Sequence, residues 1–301
     1  MSRRRRDGGD GPSGFVVVDK EAGWTSHDVV AKARGVFGTR KVGHSGTLDP
    51  GATGVLVLGL GKGTRLLRFV TALPKTYVAE AVLGVETDTL DADGEVMATH
   101  DMAGVTLDDV RRVAAGFVGR IEQVPPMVSA IKVDGKRLHE LARQGKEVDR
   151  KPRPVTVHSL AVEEVEGEPI DAAPHVFRFI TTCSSGTYVR TLAADIGAEL
   201  GGGAHLRYLR RTAIGSHTEA AARPLGRSEL ITLADGLRDL ASLVVDDVTA
   251  ERVRNGQRLE RARFEGPGPW VLLDESGDGL AVHERVEDGR IKAAVVVPAG
   301  H

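Results

Sequence analysis

Cysteine is almost absent. The 301 residues contain one, Cys183, which excludes an internal disulfide and a cysteine-built zinc site. It lies next to an apolar strand, the setting of a buried, inert thiol. Long hydrophobic runs are also missing. None approaches the ~20 residues needed to cross a bilayer. No apolar segment of signal-peptide length follows the basic N-terminal stretch MSRRRRDGGDGPSG, so the cytoplasm is the expected compartment. Metal patterns are lacking too: there is no H-E-x-x-H and no Cys/His cluster, so no metal site is expected. A serine elbow is excluded, because in GHSGT the glycine follows Ser45 by one residue and not two.

A large net charge is the last absence. The formal total is −2, which alone argues against a polyanionic partner. The distribution says otherwise. Residues 215–301 carry 11 Lys+Arg and 15 Asp+Glu, whereas residues 1–214 carry 29 and 27. Within the latter, Lys132 to Pro154 has eight basic and four acidic residues, and Arg3 to Arg6 form a basic arm. Local patches decide nucleic-acid binding. Hydrophobic content of 41% and charged content of 27% are ordinary for a globular protein.

Phe15 to Lys20 (FVVVDK) reads as a buried strand. Thr25 and Asp28 form a capping box before the helical spacing of Val29, Val30, Ala33 and Phe37. Thr64 is placed to cap a short helix with Leu66, Leu67 and Val70. Lys75 to Leu83 alternates as a strand and carries Tyr77. Asp88 to Val96 looks like a calcium loop, but its ligand positions fail at Thr89 and His100, leaving a solvated acidic loop. Gly59 to Thr64 fails the phosphate-loop pattern at Leu56 and Gly63. Thr106 and Asp109 make a second capping box. Gln123 to Val148 is polar and basic, a surface excursion with a short helix near Leu138 to Ala142. His175 to Thr182 is a strand with Phe177 and Phe179 on one face. A helix with the stripe Leu192, Ile196, Leu200 follows. His205 to Gly215 is a strand with basic positions at Arg207, Arg210 and Arg211, and Arg227 to Leu240 is a connecting helix. From about Val245 the chain becomes a small β module, with a helix at Ala250 to Arg254 and strong turns at DESGDG and EDGR.

The stretch from Gly43 to Gly61, GHSGTLDPGATGVLVLGLG, is the centre of the sequence. Asp49 follows His44, Ser45 and Thr47 and precedes the turn Pro50-Gly51, after which Val55 to Leu60 forms a buried strand. A loop braced by a rigid strand is a common place for a catalytic group. An Asp before Pro50 also closes an Asx turn, a purely structural role. Tyr77, Tyr188 and Arg190 lie at other strand edges and turns. One carboxylate, an arginine and tyrosines suit carboxylate chemistry on a flat, stackable substrate such as a nucleobase.

Here the residues resemble a known family. GHSGTLDPGATGVLVLGLGKGTR resembles the catalytic motif of the TruB family of pseudouridine synthases. KTYVAEAVLG from Lys75 resembles its tyrosine strand, and DGKRLHELARQG, Asp134 to Gly145, its RNA-gripping insertion. CSSGTYVRTLAADIG resembles the segment supplying a tyrosine and an arginine, and GAHLRYLRRTAIG the leucine-bearing strand below the target base. The five occur in family order over residues 14 to 215. Ser185 stands where many members have lysine, and the tail matches least.

The resemblance implies an α+β fold with a mixed, mostly antiparallel central sheet flanked by helices, the pseudouridine synthase fold. It implies a catalytic domain over 14–240 after a disordered arm over 1–13, an RNA-gripping insertion over about 125–154, and a small C-terminal PUA-like RNA-binding domain over 245–301. It implies isomerisation of uridine-55 in the T-arm loop of tRNA. Asp49 would be the nucleophile, Tyr77 would stack on the flipped base, and Arg190 would pair with Asp49. Tyr188 and Leu209 would shape the pocket, His44 would occupy space vacated in the RNA loop or hold a flanking nucleotide, and Lys20 is a further site candidate. Lys132, Lys136, Arg137, Arg143 and Lys146 would grip RNA. No cofactor and no guide RNA are expected, and the enzyme would act as a monomer. Two other classes stay open: a tRNA-binding folding chaperone that needs no chemistry, and an aspartate-dependent RNA hydrolase, which the absence of a paired carboxylate and of metal ligands disfavours.

Overall fold

The computed structural model describes residues 11–127, 132–133, 136–137, 148–170, 175–257, 259–260, 263–287 and 289–297. In chain order the elements begin with β1 (Gly14–Lys20), α1 (Ser26–Val36), β2 (Val42–His44), β3 (Thr53–Leu60) and α2 (Gly63–Ala72). Then come β4 (Lys75–Leu83), β5 (Val85–Thr87), β6 (Val96–Thr99), α3 (Leu107–Ala115), β7 (Gly119–Gln123), β8 (Lys132–Val133) and β9 (Lys136–Arg137). β10 (Arg153–Glu164), β11 (Val176–Cys183), α4 (Val189–Glu199), β12 (Ala204–Ile214) and β13 (His217–Thr218) follow. The last stretch holds α5 (Leu233–Gly236), β14 (Ala241–Val244), α6 (Asp247–Arg254), β15 (Trp270–Leu273), β16 (Gly279–Arg285) and β17 (Ile291–Val296). The chain forms two compact units. One comprises residues 1–50, 54–73 and 214–301, the other 51–53 and 74–213.

In the first unit β1 and β3 run antiparallel, with Val17 opposite Val57 and Lys20 opposite Gly54. Both strands are apolar on two faces because each face meets a different partner, as the period of two requires. Val16, Val18, Leu56 and Leu58 pack under α1 through Val29, Val30 and Ala33. Phe15, Val17, Val55 and Val57 pack on α2 and on the C-terminal strands through Leu66, Phe69, Val271, Val282 and Val295. Each such side chain contributes about 1.5–3 kcal/mol when fully buried. The C-terminal sheet, in the order β14-β15-β16-β17, is therefore one side of the core that carries β1 and β3. Its other side closes on Trp270, Leu272, Phe264 and Val253.

In the second unit the strand order is β12-β4-β11-β10-β7. β4 and β11 are antiparallel with Tyr77 opposite Thr181, and β10 pairs antiparallel with β11 and β7. α4 buries Leu192, Ala193 and Ile196, and α3 buries Val110 and Ala114. Four charged groups tie three strands and a turn: Arg207 holds Glu80 at 3.0 Å and Glu168 at 2.7 Å, and Arg178 holds Glu80 at 2.7 Å.

The mixed, mostly antiparallel architecture is as expected, and both capping boxes form. Cys183 is buried, and that burial pushes its thiol up to about 11. Three readings need correction. Thr64 does not cap α2: it sits inside the first turn and its hydroxyl donates back to Gly61 O at 2.8 Å. The expected helix over 227–240 shrinks to Leu233–Gly236 after a 3-10 turn at Leu225–Arg227, because Thr232 caps only there and Gly236 ends the turn. The acidic loop at 88–96 is not merely solvated, since Asp91 turns inward to Arg190. Residues 1–10 of the basic arm and the helix expected at 138–142 lie outside the described residues. No described helix is long and apolar enough to cross a membrane.

Candidate active site

Asp49 lies in the loop between β2 and β3, and that loop is fastened to the β1–α1 turn. Ser26 is fully buried at the start of α1. Its hydroxyl accepts from Leu48 N at 2.9 Å and donates to Leu48 O at 3.3 Å. A single side chain thus satisfies both backbone groups of the residue before Asp49. Pro50 O, on the other side, accepts from Gly23 N at 2.9 Å and from Lys20 Nζ at 3.2 Å. The Lys20 ammonium, only 1% exposed, also donates to Glu21 O at 3.0 Å and Trp24 O at 2.7 Å. Its charge is spread over three carbonyls of the frame.

Ser45 N closes on Val57 O at 2.9 Å, and Gly46 then takes a φ of +137°, which a residue with a Cβ rarely adopts. This brings Gly46 N to 3.2 Å from His44 Nδ1. The nitrogen accepts that bond, so the neutral ring carries its proton on Nε2. The His44 ring also meets His27 edge to face, centroids 5.4 Å apart. Asp49 itself is half-buried.

The second unit holds the tyrosines and the arginine. Arg190 is in the first turn of α4 and is 5% exposed. Its guanidinium donates to Thr89 O at 2.8 Å and Asp91 Oδ2 at 3.2 Å. The loop that presents these acceptors is built for the purpose. Thr87 Oγ1 donates to Asp91 O at 2.7 Å, Thr89 Oγ1 to Asp91 Oδ1 at 2.5 Å, and Leu206 N to Leu90 O at 3.0 Å. Leu90 has a φ of +61°. For a side chain of this kind that is a strained conformation, costing about 1–3 kcal/mol, and such strain clusters at functional sites.

Tyr188 is the N-cap residue of α4 and is half-buried. Gln123, 1% exposed, grips its backbone: Oε1 accepts from Tyr188 N at 3.0 Å and Nε2 donates to Tyr188 O at 3.3 Å. Tyr77 is buried on β4 and Leu209 half-buried on β12. Lys75, two residues before Tyr77, is buried, and burial, reinforced by Arg211, pushes its ammonium down to about 8.

Asp49, His44 and Lys20 therefore share one unit, and Tyr77, Tyr188, Arg190 and Leu209 share the other. Arg143 and Lys146 lie outside the described residues. So do the side chains of Lys132, Lys136 and Arg137, whose backbone forms the β8–β9 pair. Among the described residues no group of three or more His, Cys, Asp or Glu could hold a metal ion. Sequence reasoning missed Ser26, Asp91 and Gln123. Their partners are 22, 99 and 65 residues away, and no local pattern signals such pairs.

Comparison with known proteins gives a consistent result. The profile of the TruB family pseudouridylate synthase N-terminal domain matches residues 34–189, and that of the tRNA pseudouridylate synthase B C-terminal domain matches residues 190–231. The chain is similar to proteins named tRNA pseudouridine synthase B. The one from Arthrobacter sp. (strain FB24) is 52% identical over 294 residues, covering 96% of this chain and 94% of that protein. The one from Shouchella clausii is 42% identical over 286 residues, covering 91% and 93%. Among solved structures, a Cbf5-Nop10-Gar1 complex matches with a TM-score of 0.72 at 24% identity, covering 95% of this chain and 85% of that chain. An H/ACA RNP bound to a substrate RNA containing 2′-deoxyuridine matches at 0.69 and 22%, covering 96% and 85%. At these identities the structural matches speak to the fold.

Proposed function

The chain belongs to the TruB family of pseudouridylate synthases, an isomerase family, and on that premise we propose that it converts uridine-55 in the T-arm loop of tRNA to pseudouridine, with Asp49 as the nucleophile. The relatives' names support tRNA as the substrate class. The observation that carries the Asp49 assignment is its place on a loop whose preceding residue is bonded to Ser26 at the start of α1 and whose following residue is bonded to Gly23 in the β1–α1 turn. A nucleophile must be held to a fraction of an ångström.

In the proposed reaction the uridine leaves the loop stack, which is cheapest where the base is weakly paired. The N1–C1′ bond breaks, either on attack by Asp49 at C1′ or by way of a glycal. The uracil turns and C5 bonds to C1′. The C5 proton is lost and N1 gains one, so atoms balance and no cofactor is required. Arg190 is assigned the cation that keeps Asp49 ionised. Tyr77 stacks on the flipped base and is a candidate for the proton transfer. Tyr188 and Leu209 shape the pocket, and His44, with its proton on Nε2, fills the space vacated in the RNA loop or holds a flanking nucleotide. Lys132, Lys136, Arg137, Arg143 and Lys146 would grip phosphates, giving steep salt dependence. The C-terminal strands would add an RNA contact. The protein would work in the cytoplasm as a monomer and without a guide RNA.

Tritium release from C5-labelled uridine in a T-arm stem-loop tests this, with Asp49→Asn as the comparison. Release by the wild type alone, with RNA binding kept by both, is the expected result. Binding without release by either protein would reject the isomerase on this substrate and favour a folding chaperone.

A further inference from the structure

Beside the β1–α1 turn the first unit has an open cavity of about 220 Å³. Its floor is aliphatic, with Val18, Val29 and Leu225. Its wall is Trp24, an indole left 39% exposed. Lys32 and Glu21 supply charge of both signs at its lining.

Three observations say what fits there. The first is position. Trp24 O and Pro50 O are held by the same Lys20 ammonium, at 2.7 and 3.2 Å, and Gly23 N reaches Pro50 O at 2.9 Å. Pro50 directly follows Asp49, so the turn bearing the indole and the loop bearing the nucleophile are one hydrogen-bonded frame. The second is size. The volume is below the roughly 300–1,000 Å³ of sites that enclose a drug-sized ligand. A single planar ring system fits, and a helix or folded peptide does not. The third is chemistry. Exposed indoles stack on unpaired bases, a neighbouring lysine takes the phosphate, and a carboxylate accepts hydrogen bonds from exocyclic amino groups.

We infer that this groove takes a second unstacked nucleobase of the RNA, a neighbour of the uridine that Asp49 attacks. The base stacks on Trp24 and its phosphate lies on Lys32. Glu21 favours a base with an amino edge over uracil. The inference rests on the RNA-isomerase reading above and adds a contact that selects the nucleotide beside the target.

The test uses the full chain. It has two tryptophans, and Trp270 is buried, so acrylamide quenching of emission reports on Trp24. A T-arm stem-loop RNA is added intact, or with an abasic site at the nucleotide on either side of the target uridine. Binding and tritium release are measured in parallel for wild type, Trp24→Ala and Trp24→Phe. The expected result is that intact RNA shields Trp24 and that one of the two abasic sites removes the shielding. Trp24→Ala should weaken binding about tenfold, in the range of a lost base–aromatic stack, and Trp24→Phe should keep most of the affinity. With the matching abasic RNA, Trp24→Ala should lose nothing further. RNA that binds and turns over while Trp24 stays fully quenchable would overturn the groove assignment and leave the isomerase reading standing. A wild type that neither binds nor releases tritium would overturn the isomerase reading and this inference with it.

Discussion

Replacing Ser26 with alanine tests how the Asp49 loop is held. Ser and Ala differ by one oxygen, so the site keeps its shape. What is lost is the acceptor for Leu48 N at 2.9 Å and the weaker donor to Leu48 O at 3.3 Å. Both residues are buried, and water does not replace the hydroxyl. An unsatisfied buried N–H costs about 1–3 kcal/mol. For a protein of this size that corresponds to a fall in Tm of roughly 2–5 °C. The effect on activity is separate. If the Leu48 backbone shifts to find another partner, Asp49 shifts with it, and a misplacement near 1 Å costs on the order of 100-fold. The expectation is a 10- to 100-fold lower kcat in tritium release, with KM changed less than threefold because phosphate contacts elsewhere bind the RNA. Ser26→Thr keeps the hydroxyl but adds a methyl to a packed site. It should lose about 1–3 kcal/mol of stability while keeping most of kcat. Stability and rate would then move differently in the two variants. A Ser26→Ala enzyme with wild-type Tm and kcat would refute the argument that this hydroxyl fixes the loop.

Asp91→Asn removes the carboxylate from the Arg190 guanidinium; kcat should fall at least tenfold with little change in RNA affinity, and equal loss of both in a filter-binding and turnover comparison would reject a role in orienting Arg190. Burial raises Asp195 from 3.8 to about 6. A raised folded-state value means the stabilising contribution is complete below the unfolded value and is lost as pH climbs through about 6. The full shift corresponds to about 3 kcal/mol, which solvent screening of the half-buried Asp195 reduces. Asp195→Asn should therefore gain about 1–2 kcal/mol over wild type at pH 7 and nothing at pH 3, and parallel urea midpoints across pH 3 to 8 would contradict this. The Cys183 thiol, held up at about 11 by burial, should resist iodoacetamide at pH 8 until urea unfolds the chain. Labelling of the native protein within minutes would show that the strand opens. Deleting residues 245–301 should expose the faces of Phe15, Val57 and Phe69 that Val271, Val282 and Val295 cover; the truncated chain should bind a hydrophobic dye and lose turnover, and a truncated chain with wild-type Tm would refute the shared core.

Much of the fold was legible because local rules and tertiary context agree. FVVV and VLVLGL carry no polar side chain because both strand faces are covered. KTYVAEAVL alternates over its first residues, with Tyr77 and Ala79 buried. Thr25/Asp28 and Thr106/Asp109 are capping boxes whose four groups lie within one turn, so four residues suffice to read them. The misreadings share a cause. Thr64 has the chemistry of a cap, but the turn at Gly61 starts the helix two residues earlier, with Lys62 at the N-cap. DTLDADGEV looks solvated because nothing near it in sequence is basic. Its partner, Arg190, arrives from 99 residues on. β14 was missed because Ala241–Val244 is mostly exposed and has no alternation; its strand geometry comes from lying parallel to β15.

The same logic explains the two buried grips. Ser26 closes on both backbone groups of Leu48, and Gln123 closes on both backbone groups of Tyr188. Each behaves as a single rung of a β ladder supplied by a side chain. A backbone loop near a reacting group cannot be fixed by a neighbouring strand without blocking the substrate, so a small buried polar side chain does the work of one. The arrangement is also close to all-or-none. If a grip opens, a donor and an acceptor lose their partners together, and the cost of each buried group, about 1–3 kcal/mol, falls at once. Intermediate positions of Leu48 or Tyr188 gain nothing that the closed position lacks. Ser26, gripping the residue before Asp49, and Gln123, gripping Tyr188, therefore suit a task in which geometry must be fixed before the substrate arrives. This is also why neither could be read from the sequence: an isolated serine and an isolated glutamine become informative only once the residues they grip are known.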